Sequence, residues 1–593
     1  MKKPKLLAVS LLSLALLASC ASTEAKSLGS VVVDGSDYNY NSKVTLSSVE
    51  TIDVEESTGE FSITSEDGSF TKNGSVYSIN AAGTYSLKGK LVGQILVAAG
   101  EDEEVVLELN GATIEYSSDS PVKCLSASSV EISAKKGTEN LIKDTRSSKT
   151  VDVEDQGEGA IYAKTDLKLK GTGVLAVEGG YNNGVHTSKD LTIQKLTLKS
   201  TGYNNAIKGN NSVTITSGTI QAYAKTGNGI KTEDNDLSSK GKQRGTITVN
   251  GGNVYVDSLH DAIDASYNVE INQEDAEVAT EISIKTGKNA TVYNKTNFTA
   301  DSEKGLKAKN DIIISGGKIV IAASDDAIHA NYGDALENGS VGNGCITIDG
   351  GSIEVASGDD GLHADNTLTI NDGNIVVTGA TEGFEANYVV INGGKSYIYG
   401  NDDGVNCSKK SFSKCSFTMN GGYLDVAVKS GDTDGIDSNG DFTLNGGVII
   451  SRGSPGTSLN RMSTGLDCDG TCSMNGGTLI AFNGLEKSPS TKSGILYAST
   501  STSSSSFGGG GFGGGRPGGG GPGGGSTESG KNLSAGNYVL SGDNVSISFT
   551  NDYQYGAFTI YSDALQNGST YTLTSNNVSL LSWTQSSNSV TIS

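Results

Sequence analysis

From about residue 150 to residue 500 the chain alternates apolar and polar positions in short bursts. Examples are "LTIQ" from Leu191, "VTIT" from Val213, "ITVN" from Ile247, "LTIN" from Leu368 and "FTLN" from Phe442. A period of two predicts short strands with one buried face. Most bursts run into glycine turns, such as Gly251-Gly252, Gly316-Gly317, Gly350-Gly351 and Gly446-Gly447, and a further strand follows ("NVYV", "KIVI", "SIEV"). Helical periodicity is absent beyond the first twenty residues.

A small residue followed by an aliphatic or aromatic one marks each unit. The series runs Ala160-Ile161, Gly184-Val185, Ala206-Ile207, Gly229-Ile230, Ala262-Ile263, Gly305-Leu306 and Ala327-Ile328. It continues through Gly361-Leu362, Gly383-Phe384, Gly404-Val405, Gly435-Ile436 and Gly465-Leu466 to Gly494-Ile495. The short spacing is close to 22 residues, and longer ones read as a unit plus an insertion, as at 331–344. So small a unit cannot bury its own apolar face, whereas stacked units cover one another. The expected fold is all-β: a three-sided parallel β-helix, or β-solenoid, of about 13 coils, with β caps, rising ~4.8 Å per coil. A sandwich does not repeat one motif so often, and a propeller blade needs about 40 residues.

The remaining segments are irregular. Residues 35–150 are expected to form an N-terminal cap and first coils, 151–500 the regular repeat, and 501–530 a flexible Ser/Gly-rich segment. Residues 531–593 return to β patterning, as a small domain or as last cap strands. At the start, Lys2, Lys3 and Lys5 precede a twelve-residue apolar run ending in "LASC". Residues 1–20 read as an export signal whose Cys20 is lipidated, with 21–34 as tether. The expectation is an exported lipoprotein on the bacterial surface or periplasmic face, a monomer touching membrane only through its lipid. Six further cysteines offer the local pairs Cys468/Cys472 and Cys407/Cys415, or remain as buried thiols.

Charge narrows the partners. A formal charge of −23 argues against nucleic acid and favours cations, neutral ligands or cation-bridged anions. In a stack, sequence columns become ladders. The residue after each anchor passes from Tyr162, His186, Lys208, Lys231, Asp264 and Lys307 to His329, His363, Glu385, Asn406, Asp437 and Asp467. With the anchor inward, this neighbour should form an exposed polar stripe. The residues before the small one change from Asn182-Asn183 and Asn204-Asn205 to Asp325-Asp326, Asp359-Asp360, Asp402-Asp403 and Thr433-Asp434. Asn ladders hydrogen-bond within a turn. Carboxylates one strand spacing apart repel, and calcium, with oxygen ligands, relieves the conflict. Hydrated, ion-free turns are the alternative. All four histidines (His186, His260, His329, His363) fall in this turn region.

The ordered turns "SDDAIHA", "SGDDGLHADNTLTINDGNIVVT", "TEGFEA" and "NDDGVN", with "AGTYSLKGKLVGQILVAAG" and "GTENLIKD" upstream, resemble the bacterial carbohydrate-binding domain-containing proteins. The resemblance implies a right-handed parallel β-helix, pectate-lyase-like in shape, that binds calcium, acidic sugars such as polygalacturonate (pectin) and cellulose. By motif matching the calcium ligands would be Asp325, Asp326, Asp359, Asp360, Glu382, Glu385, Asp402 and Asp403, and the same columns extend to Asp434 and Asp437. Asn182-Asn183 and Asn204-Asn205 depart from the acidic pattern. His329 and His363 are expected to meet sugar, and Lys208, Lys231 and Lys307 to pair with uronates.

Three functions fit. The first is calcium-dependent capture of an acidic polysaccharide, without catalysis. The second is a polysaccharide lyase or galacturonase-like hydrolase on the same scaffold. A lyase needs a base beside calcium, for which Lys307 is the candidate, but no arginine falls in an acidic turn. The third is an adhesin-like surface rod.

Overall fold

The structure is a computed structural model. It describes residues 31–35, 44, 46, 49–151, 153–273, 279–287, 302–337, 339–456, 463–489, 491–492, 494–500 and 531–592. Among these residues there are strands and no helix. Cys20 and the Ser/Gly-rich segment lie outside the described residues.

In the regular part each strand pairs in parallel with the third strand after it. Asn183–Thr187 pairs with Ile207–Gly209, Asp190–Gln194 with Ser212–Ile215, and Leu196–Gly202 with Gly218–Ala224. Three strands thus complete a turn, and the chain winds as a long parallel, solenoid-like wall. The anchor residues form one unbroken column. Ile161, Val185, Ile207, Ile230, Ile263 and Leu306 lie opposite one another in succession. Ile328, Leu362, Phe384, Val405, Ile436 and Leu466 continue it. None is more than 1 % exposed. Stacking, rather than any one coil, hides these side chains from water.

After Leu466 the column departs from the expected series. Its next member is Leu485, reached through a parallel bridge, and not Ile495. "GLE" at 484–486 repeats the anchor step at a shorter spacing.

A second ladder holds one corner. The Asn371 side chain donates to Asp349, Asn392 to Asn371, Asn420 to Asn392, Asn445 to Asn420 and Asn475 to Asn445, at 2.7–2.9 Å. The glycine beside it is needed for space. At Gly351, with φ +95°, a Cβ would stand 2.8 Å from the Gly317 carbonyl of the coil below.

Antiparallel strands flank the stack. Phe70–Asn73 pairs with Val76–Ile79 near the N-terminal end, and Phe558–Ser562 lies antiparallel to Thr478–Phe482 and Leu496–Ser499 at the other. A five-stranded sheet of Val31–Gly35, Val545–Asn551, Gly536–Gly542, Thr570–Ser575 and Val578–Thr584 packs on the late coils. It buries Tyr538, Ile547 and Phe549 with Tyr423, Ile450 and Phe482. Within that second core, Arg452 donates to Asp425, to the Asn551 side chain (2.6 Å) and to the Thr550 carbonyl (2.9 Å). Cys124, Cys407, Cys415, Cys468 and Cys472 are buried and Cys345 is partly exposed, and none of these six joins a disulfide among the described residues.

Candidate functional site

The corner before each anchor is built by side chains that cap the next coil. Asn183 Oδ1 accepts the Asn205 N–H (3.2 Å), and Asn205 Oδ1 accepts the Asn228 N–H (3.0 Å). Further along, Asp326 Oδ1 accepts the Asp360 N–H (2.9 Å), Asp360 Oδ1 the Glu382 N–H (3.2 Å), and Asp403 Oδ1 the Asp434 N–H (2.8 Å). Asp434 in turn accepts the Thr464 N–H. An amide oxygen and a carboxylate oxygen do this equally well. The fold therefore needs an acceptor in the column but not a charge. The negative charge and second oxygen of each later Asp are surplus to the capping.

The stripe after the anchor is in register but not exposed. His186, Lys208, Asp264, His329, His363 and Glu385 are all buried. Insertions fold back on it: Glu233 pairs with Lys208 (2.6 Å), the Tyr332 amide donates to Asp365 (2.9 Å), and Lys410 reaches Glu385 (2.5 Å).

At the middle of the stack the two columns converge. His329 and His363 lie on adjacent coils with rings stacked, centroids 4.3 Å apart and 14° between planes. Nδ1 of His329 meets Asp326 Oδ2 at 2.5 Å, and Nδ1 of His363 lies 2.8 Å from Asp360 Oδ2 and 3.3 Å from Glu385 Oε2. Both Nε2 atoms face Asp365 Oδ1, at 3.7 and 3.2 Å. Nε2 of His329 and both ring nitrogens of His363 are buried without an aligned hydrogen bond. Lys304 Nζ sits between Asp325 (2.7 Å) and Asp326 (2.6 Å).

Four sets of side chains bring ligand atoms within 4.8 Å of one another. Two are all oxygen: Asp325/Asp326/Asp359 and Asp359/Asp360/Glu382. Two mix nitrogen and oxygen: Asp326/His329/His363 and Asp360/His363/Glu385. Oxygen sets suit calcium. Lys304 already supplies a positive charge to the first, so Asp359/Asp360/Glu382 is the better fit.

The charges differ along the column. Burial opposes the charge of Asp326, but Lys304 and the two histidines hold its carboxyl well below the usual range. Burial and the neighbouring Asp326, Asp325 and Glu382 push Asp359 up to about 6. Burial with Asp326, Glu382 and Glu385 raises Asp360 as well. In later coils burial, then like charges, pushes Asp403 to about 8, Asp434 to about 7 and Asp437 to about 6. Sharing a hydrogen bond with Asp467 and burial push Glu486 to about 8.

Of the residues singled out from sequence, Asp325, Asp326, Asp359, Asp360, Glu382, Glu385, His329 and His363 come together. Asp402, Asp403, Asp434 and Asp437 follow in the column but join no such set among the described residues. Lys208, Lys231 and Lys307 are each taken up by a carboxylate: Glu233, Asp264 (2.8 Å) and Asp261 (3.1 Å). Asp365, Lys304, Lys410 and Glu486 were not foreseen as site residues. Asp365 is the third acid of "GDDGLHAD" and Lys304 stands in the aspartate column, so both were visible as positions. Lys410 sits in an insertion, where the repeat gives no signal.

The family model for carbohydrate-binding domain-containing proteins matches residues 73–342 and 334–487, and so covers the coil and its acidic turns. The chain belongs to the carbohydrate-binding domain-containing protein family. A family member from Acetivibrio thermocellus is 37% identical over 117 residues, which is 19% of this chain and 41% of that protein. The match thus spans about two fifths of the relative's length. A solved structure of the polysaccharide lyase-like protein from C. thermocellum, a gadolinium derivative, is 31% identical, covers 37% of this chain and 85% of that one, and superposes with a TM-score of 0.33. All four ligand sets found among the described residues lie inside the matched region, between Lys304 and Lys410.

Proposed function

We propose that this chain binds an acidic, uronate-containing polysaccharide through calcium held at Asp359, Asp360 and Glu382. Membership of the carbohydrate-binding family supports the polysaccharide. The observation that carries the calcium is the aspartate column, where capping needs only an acceptor and the surplus charge of adjacent coils converges on one all-oxygen set. Calcium there takes oxygens from the protein and leaves positions for sugar carboxylates and hydroxyls. Many weak contacts along a stack suit a repeating polymer. Polygalacturonate is the substrate class proposed, with cellulose as a second ligand. The coil is taken as right-handed, as parallel crossovers almost always are, with about 13 turns. Lipidation at Cys20 would tether the monomer outside the inner membrane.

A lyase on the same scaffold would need a free base. Lys307 is engaged with Asp261, and although burial works against its charge, Asp261 and Asp264 hold its pKa above the usual lysine range. That favours capture over cleavage.

The test is retention of the protein on polygalacturonate with calcium and with chelator, while absorbance of unsaturated product is followed. Calcium-dependent retention without product is the expected result. Accumulating product would replace this reading with the lyase, and no retention on any polysaccharide with the surface rod.

A further inference from the structure

The loop 408–415, "SKKSFSKC", is the most basic stretch beside the site. Between Gly404 and Leu424 the chain has three lysines and no acid, in a protein of charge −23. The loop is fixed from beneath. Asn387, 1 % exposed, accepts the Ser411 N–H (3.0 Å) and donates to the Lys414 carbonyl (3.1 Å). Lys410 is tied to Glu385. Lys409 and Lys414 remain exposed and form no ion pair among the described residues.

Phe412, at the head of this loop, meets two tyrosines. Tyr332, from the 331–344 insertion, has its ring centroid 4.7 Å away, and Tyr388 is 6.0 Å away. The rings are tilted by 50° and 47°, and are not sealed from solvent. Tyr332 is 37 % exposed, Phe412 and Tyr388 are half-buried. The same elements reach the acid and histidine cluster, through the Tyr332 amide on Asp365 and Lys410 on Glu385.

We propose that Phe412, Tyr332 and Tyr388, with Lys409 and Lys414, form a subsite for a uronate-bearing pyranose at the edge of the acidic cluster. The inference rests on the carbohydrate-binding reading above and adds where the sugar ring lies and what selects its charge. The C–H face of a pyranose is apolar and suits the electron-rich face of an aromatic ring. The ring's carboxylate needs a cation, and the acidic body of this protein repels it everywhere that calcium or lysine does not intervene. Two exposed lysines flanking a half-open aromatic supply both contacts. A cover that served packing alone would need neither exposed rings nor an excess of lysine. A neutral sugar would use the rings and ignore the charges.

The experiment measures the affinity of the full chain, at fixed calcium, for a polygalacturonate oligomer and for a neutral β-glucan oligomer at two salt concentrations. F412A is expected to weaken the acidic oligomer by about tenfold, and F412Y to stay near the parent. The double variant K409A/K414A should weaken the acidic oligomer severalfold, flatten its salt dependence and leave the neutral one unchanged. If F412A melts early, F412L keeps the packing and carries the test: it should bind as weakly as F412A. Parent-like binding by both F412A and K409A/K414A overturns the subsite, as does a neutral oligomer equally weakened by K409A/K414A. If the parent itself binds neither oligomer, the carbohydrate reading fails first and the subsite with it. Those two failures are told apart by the parent alone.

Discussion

The early and late coils place the same backbone corner under different side chains. At Asn183 and Asn205 the capping acceptor is neutral, and nearby Lys208, Lys231 and Lys307 are each matched to one carboxylate. At Asp326, Asp360, Asp403 and Asp434 the acceptor is charged, yet caps the next coil in the same way. The middle coils balance that charge with Lys304, Lys410 and two histidines. The last coils have less to set against it, and Asp403, Asp434 and Glu486 are pushed to about 8, 7 and 8. The comparison separates two jobs done by one residue type: an oxygen that holds the stack together, and a charge the stack does not need.

Substitution can break that pairing of jobs. Asp359→Asn with Asp360→Asn keeps an oxygen for the Glu382 amide while removing two charges. Calcium affinity, measured by calorimetry, should fall at least about tenfold, while the melting temperature without calcium holds or rises. Unchanged calcium affinity would remove these aspartates from the site. The reverse change, Asn183→Asp with Asn205→Asp, keeps the two acceptors but loses the amide donors that reach the Glu158 carbonyl (2.8 Å) and Asn183 Oδ1 (2.8 Å), so it should lower the melting temperature.

Much of this was legible in the sequence, since the anchor step is local and periodic. Twelve anchors from Ile161 to Leu466 lie in one column as the repeat predicts. Leu485 breaks the series because its coil is shorter than the others. The expected exposure of the polar stripe was the larger misreading. Period-two alternation tells which residues point away from the coil interior, not what folds over them. Glu233, Tyr332 and Lys410 come from the very insertions that interrupt the period, so nothing in the repeat could place them over Lys208, Asp365 and Glu385.

A second, smaller effect sharpens the contrast through pH. Asp403, Asp434 and Asp437 bind protons more tightly in the fold than their ordinary value of 3.8. The native state then holds more protons than the unfolded chain, so stability falls as pH rises. The loss begins near 3.8 and is complete above about 8. Without calcium, the melting temperature should drop by several degrees from pH 5 to pH 8. Asp403→Asn with Asp434→Asn should flatten the slope clearly, leaving the share that Asp359, Asp360, Asp437 and Glu486 contribute. A slope that persists unchanged in this variant would place the charge excess elsewhere.

The smallest effect is in two histidines of one column. Burial, then Lys208, pushes His186 down to about 4. Burial also opposes a charge on His363, but Asp365, Asp326 and Glu385 outweigh it and raise the value above 6.5. The signs are opposite. His186 costs stability as pH falls below 6.5 toward 4, whereas His363 adds stability below 6.5 that is lost as pH rises through its raised value. In metal-free protein at pH 6, labelled-histidine NMR should therefore find His186 neutral and His363 protonated. Calcium at Asp360 and its neighbours should then draw the value of His363 down, because a divalent cation on Asp360, whose Oδ2 lies 2.8 Å from Nδ1 of His363, disfavours a second positive charge beside it. His186, six steps away in the column, should not move. Coincident titration of the two rings would mean that the early and middle coils share one environment after all, and equal shifts on adding calcium would mean that the ion acts on the whole stack rather than on its acidic middle.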